Sequence, residues 1–195
     1  MPGVGPLLTL LAGVLVLWGI ARILASRSPN PPRRNLGGAA GSALRLGGAV
    51  AIGAFLGVIA PATSEPMYVA AAAVAAISAG AAIGLGLEAG AVFAEPAYAI
   101  PTLRPQPAST RGTISAEAAA AAAAGAALTT TLAFGLRLLG PSDGGPVFLA
   151  AFLCMLFERW LDGAWQPQGA TRVVPSLLAG LLGAGLGALW VILLP

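Results

Sequence analysis

Histidine and lysine are both absent from this 195-residue chain, and cysteine occurs once, at Cys154. Each absence removes chemistry. Without histidine the chain lacks the commonest general base and the commonest transition-metal ligand. A single cysteine forms no intrachain disulfide and leaves no cysteine–histidine zinc site. Cys154 lies inside an apolar run and is expected to be a small packing residue. No glycine-rich phosphate loop, metal-spacing motif or nucleophile elbow occurs, so no catalytic residue, metal ligand or cofactor is assigned. Charge is scarce as well. Only 9% of residues are charged and 57% are hydrophobic, against about 25% charged in a typical soluble domain.

What is present is a series of long apolar runs, with a mean hydropathy of +0.87. Six reach or approach the roughly 20 residues that carry a helix across a bilayer: residues 4–24, 43–61, 67–93, 115–139, 146–161 and 173–194. Proline and glycine clusters separate them, among them Ser28-Pro29-Asn30-Pro31-Pro32, Pro61, Pro66, Pro96 to Pro107, Gly140-Pro141, Gly144-Gly145-Pro146 and Pro167. Proline has no amide donor and disfavours helix in the residue before it. The expected fold is therefore an all-α integral membrane protein, one polytopic domain over residues 1–195, built as a Gly/Ala-rich bundle of about six transmembrane helices. The fourth span opens with an almost unbroken alanine stretch, Ala116–Ala127, strongly helical but weakly hydrophobic, and belongs inside a bundle. Four prolines in the 95–117 loop predict an extended segment, ending at Ser115 as a helix cap.

All ten basic residues are arginine. Arg22, Arg27, Arg33, Arg34 and Arg45 crowd around the first linker, residues 25–42, which the positive-inside rule places in the cytoplasm. With six spans, Arg104, Arg111, Arg159 and Arg172 fall on the same side and only Arg137 on the other. Both termini are then outside. The first span has no basic residue before it and is too long for a secretory leader, so it is expected to be retained. The arginines flank apolar helices rather than lining a soluble face, which points to lipid headgroups and not to nucleic acid. A bacterial-type cytoplasmic membrane is the expected location.

Within the spans, glycines four apart recur at Gly53/Gly57, Gly80/Gly84, Gly86/Gly90 and Gly183/Gly187. Such pairs let helix backbones approach closely, either inside this chain or against a second copy or another membrane protein. Glu88 interrupts the third span with no basic residue within one turn. A carboxylate there costs about 3 kcal/mol at a helix centre, which leaves two readings: an ion pair with an arginine of the inner loops, or handling of a proton or ion. Glu158 and Asp162 share one helix face and Arg159 points away from it. Together they form either an acidic cation or proton site or an interfacial cap anchored by Trp160 and Trp165. The candidate substrate- or ion-binding residues are thus Glu88, Glu158, Asp162 and Arg159. Arg137 and Asp143 are expected to form a surface pair.

Gln166-Pro167-Gln168-Gly169-Ala170-Thr171 loosely resembles the His-Pro-Pro-Gly-Gly-Ala loop of the small bacterial HPP membrane family, and Gly53-Ala54-Phe55-Leu56-Gly57 is similar to that family's first span. The loop's histidine is missing, and no activity or site residue follows from the likeness. The function expected from the residues is a small-solute or ion permease component. The alternative is a non-catalytic accessory or assembly subunit of a larger membrane complex, gripping partners through its small-residue faces. An intramembrane enzyme ranks last, since only carboxylates are on offer as bases.

Overall fold

The computed structural model describes residues 4–27, 38–93, 96–100, 102–107, 110–165 and 169–193. It contains six long helices: α1 (Val4–Ser26), α2 (Gly38–Ile59), α3 (Pro66–Val92), α4 (Ala116–Gly135), α5 (Gly144–Trp165) and α6 (Val174–Leu193). Five of them, all but α5, are long and apolar enough to cross a membrane. The exception holds Glu158, Arg159 and Asp162 in its C-terminal half. It is nonetheless 22 residues long, extending past both ends of the expected 146–161 span. Pro146 starts no helix; it sits in the first turn, where a missing amide hydrogen costs nothing.

The helices form a ring of five around one. Helix α3 contacts every other helix, and the outer five touch in the cyclic order α1, α2, α6, α5, α4 and back to α1. Side-chain size explains which helix is central. Between Ala71 and Ile83 the α3 sequence is almost entirely Ala, Gly, Ser, Val and Ile, slim enough for five neighbours to close in at once. Of its apolar window 83% is buried, against 17% for α1.

All eight glycines of the four spaced pairs are spent within this chain. A Cβ on Gly53 would lie 2.6 Å from the Ala73 carbonyl oxygen, and one on Gly187 would lie 2.6 Å from Ala75 Cβ. Gly80 faces Leu46 and Val50, Gly84 faces Leu46 and Trp18, and Gly86 and Gly90 face Ala118 on α4. Gly57 meets Leu7, and Gly183 meets Cys154 and Ala75.

Helix α4 stops earlier than the expected 139. Its last turn closes with Arg137 N–H bonded to the Phe134 carbonyl and Leu138 N–H to the Ala133 carbonyl, both at 2.9 Å. That is a Schellman ending, which requires a left-handed residue at the position after the cap. Arg137 fills it, with φ at 58°. At the other end Ser115 caps α4 as expected, its hydroxyl accepting from Ala118 N–H at 3.1 Å.

The loop between α3 and α4 differs from the extended form its prolines suggest. It folds into a small antiparallel sheet, β1 (Ala97–Ala99), β2 (Pro105–Gln106) and β3 (Thr113–Ser115), in the order β2-β1-β3. Pro105 is tolerated because β2 is an edge strand. The sheet is seated on α5 by backbone contact: a Cβ on Gly112 would stand 2.6 Å from Gly163 Cα, and Gly112 has φ at 75°. Glycine is needed on both counts.

Candidate functional site

Charge is concentrated at one end of the bundle, where α1, α3 and α5 finish and α2, α4 and α6 begin. Seven of the eight described arginines, all but Arg137, belong to this end. Arg33 and Arg34 lie outside the described residues, as do Gln166, Pro167 and Gln168 of the HPP-like loop.

Two clusters sit there. In the first, Glu88 of α3 accepts from Arg22 Nη1 of α1, at 3.1 Å to Oε2 and 3.4 Å to Oε1, and from the Ser42 hydroxyl of α2 at 2.8 Å. Three helices are tied at one carboxylate. The Arg22 side chain keeps 30% of its surface exposed, while Glu88 is buried. The absence of a base within one turn of Glu88 said nothing about its partner, which comes from a helix 66 residues away.

In the second cluster Glu158 and Asp162 of α5 do share a face, and they use it to clamp one cation. Arg45 of α2 donates from Nη1 to Glu158 Oε1 at 3.0 Å and from Nη2 to Asp162 Oδ1. All three side chains are almost fully buried. Sequence reasoning counted Arg45 as a topology signal and missed it as the counter-ion. Two acids on one buried helix face were themselves the sign that a cation had to come from elsewhere.

Arg159 corrects a further expectation. It points away from the acidic face, but into the bundle rather than out to headgroups, and only 5% of it is exposed. It makes no hydrogen bond or ion pair among the described residues, and its Nε is sealed. It lies within coulombic reach of Glu158, Asp162 and Arg45, so the local formal charge sums to zero. Trp160 and Trp165 are exposed at this end, as interfacial anchors would be.

At the opposite end is a partly open cavity of about 420 Å³ between α1, α2, α3 and the α4–α5 turn. Leu7, Gly57, Met67 and Ala70 form its apolar wall, and Arg137 and Asp143 are its charged residues. These two do not form the expected surface pair. Asp143 is buried and its carboxylate is taken by Gly140 N–H at 2.8 Å and the Ser142 hydroxyl at 3.2 Å. Arg137 is exposed and ends α4 in a conformation that glycine adopts with less strain. Among the described residues no group of His, Cys, Asp and Glu is placed to hold a metal ion. No protein family, curated protein or solved structure matches the chain.

Proposed function

We propose that this chain is a small-solute or ion permease component with six membrane-spanning helices, α5 crossing as the sixth beside α3. The cavity is then its outward-facing vestibule and the paired charges its closed inner gate. The observation that carries the reading is the pairing of the two ends: a cavity of about 420 Å³ at one and the three- and four-residue charge clusters that lock the other. The volume suits a small solute or roughly a dozen waters, since a liquid water occupies about 30 Å³. A strained arginine facing that cavity supports it, because backbone strain persists where the side chain has work that glycine cannot do. Ion pairs joining α1, α2, α3 and α5 suit a gate because each can be exchanged for water when the helices part.

The location follows from the same frame: a cytoplasmic membrane, with residues 25–42 inside and both termini outside. The four glycine pairs are filled from within the chain and so are not available to a partner on the accessory-subunit reading, while Gly19, Gly47 and Gly185 stay open.

Proteoliposome swelling tests the proposal, using a panel of small neutral and charged solutes. The wild type is expected to admit at least one class, R22Q to admit it faster by loosening the gate, and A70W to block it by filling the vestibule. Liposomes that stay tight for every solute with all three proteins would overturn the reading. Orientation is tested separately in a C154A background: a cysteine at Ser142 should react with an impermeant maleimide from outside intact cells, and one at Arg27 should not.

A further inference from the structure

The cavity at the end of the bundle away from the charge clusters is apolar inside and cationic at its mouth. Leu7 of α1 and Ala73 and Val74 of α3 are its buried wall, while Met67 and Arg137 are exposed at its rim. Met67, Ala70 and Val74 follow one another at three- and four-residue spacing and so share one face of α3.

The two charged residues of this cavity are not equivalent. Asp143 is buried and both its carboxylate oxygens are engaged, Oδ2 by Gly140 N–H at 2.8 Å and Oδ1 by the Ser142 hydroxyl at 3.2 Å. It also stands immediately before α5, where the unpaired amides of a helix N-terminus favour negative charge. Arg137 has neither an ion pair nor a side-chain hydrogen bond among the described residues. The charge asymmetry of the chain does not call for it either, since the other seven described arginines belong to the far end. The cation is therefore uncommitted, and the acid beside it is not.

We propose that this cavity binds a short-chain monocarboxylate, its alkyl chain against Leu7, Ala70 and Val74 and its carboxylate on Arg137. The planar guanidinium matches a carboxylate through two parallel N–H donors. One uncommitted cation selects a single negative charge over two. The cavity of about 420 Å³ lies within the usual range of small-molecule sites. At a water's roughly 30 Å³ apiece it holds roughly a dozen non-hydrogen atoms, enough for an acid of about six to eight carbons and too few for a lipid with two acyl chains. The proposal deepens the vestibule reading and rests on it, naming the class of solute that enters.

Equilibrium dialysis of radiolabelled hexanoate against the full chain in phospholipid nanodiscs tests it, with empty nanodiscs as the blank for partition into lipid. Saturable binding above the blank is expected. Hexylammonium and hexanol, which invert or remove the head charge, should compete at least about tenfold more weakly, the loss of a charge-assisted hydrogen bond. Acetate, which lacks most of the chain, should compete about a hundredfold more weakly, the worth of that buried hydrocarbon. R137G removes the guanidinium while relaxing the left-handed turn, so it is expected to fold, and it should weaken hexanoate by about tenfold or more. R137K should keep part of the affinity. The proposal is overturned if hexanoate shows no saturable binding above the blank, if any of the three competitors matches it, or if R137G binds it unchanged. The permease reading fails separately. Saturable hexanoate binding with liposomes tight to every solute refutes transport and leaves the site, whereas swelling with another solute class and no hexanoate binding refutes the site and leaves transport.

Discussion

Replacing Arg45 with methionine isolates what the second charge cluster contributes to the fold. Methionine keeps most of the apolar length of arginine but removes both donors. Glu158 and Asp162 are 0% and 2% exposed at the side chain and would then face each other without their cation. Two charge-assisted hydrogen bonds disappear, each worth about 1.5–3 kcal/mol, in line with the roughly 3–5 kcal/mol lost when one partner of a buried pair is removed. For a chain of this size that is a fall in Tm of about 10 °C. The measurement is thermal unfolding of R45M in micelles by tryptophan fluorescence, with size exclusion to follow aggregation. R45M/E158M is the informative companion. It leaves Asp162 and Arg159 as one acid and one base three residues apart on α5, within coulombic reach of each other. It should recover at least half of the loss, because an uncompensated buried charge costs more than a missing ion pair. If R45M melts with the wild type, or the double variant melts no higher than R45M, the cluster is not the buried charge network described above.

R22Q should cost far less than R45M, about 1 kcal/mol, because Arg22 keeps 30% of its side chain exposed and water screens that pair; the same melting assay ranks the two. R137G should raise stability by about 1 kcal/mol by relieving the left-handed backbone at the end of α4, read as a higher Tm, and on the permease reading should slow solute entry. G53A should lower stability by about 1–3 kcal/mol, since its Cβ meets the Ala73 carbonyl on a helix that cannot retreat. G185A, with nothing within 4 Å of its Cβ, should be neutral or gain up to about 1 kcal/mol from helix propensity. Equal effects at the two glycines would refute the close-packing assignment.

The existence of the six helices was legible because long apolar helices advertise themselves locally, through apolar length and the proline and glycine clusters between them. Their ends were less so. The stop of α4 depends on Arg137 adopting a conformation for which arginine carries no signal, and the apolar run through Leu139 masked it. The sheet between α3 and α4 was hidden by its brevity: strands of two or three residues leave no periodicity to read. For the site, the sequence identified which acids are anomalous. The identity of their partners was out of reach, because Arg22 meets Glu88 across 66 residues and Arg45 meets Asp162 across 117. A lone charge in an apolar run announces that it needs a counter-ion, while which one it finds is a property of the assembled ring.

That distinction bears on why the charges are there at all. Glu88 lies four residues from the C-terminal end of α3, and Asp162 three from that of α5. The exposed carbonyls at a helix C-terminus disfavour a carboxylate, so neither acid strengthens its own helix. Each becomes favourable only when a second helix delivers an arginine: α1 to α3 in one cluster, α2 to α5 in the other. Apolar packing among alanine, glycine and leucine faces discriminates weakly between neighbours, since in a bilayer lipid tails would compete for the same surfaces. A buried acid that is costly alone and stable with one particular partner discriminates strongly. The clusters thus select the pairs that the greasy surfaces leave open. Helices α2 and α5, separated in the outer ring by α6, are joined by Arg45 reaching two acids at once. On the permease reading the same dependence gives the charged end two states, paired or hydrated, while the small-residue centre of α3 has only one.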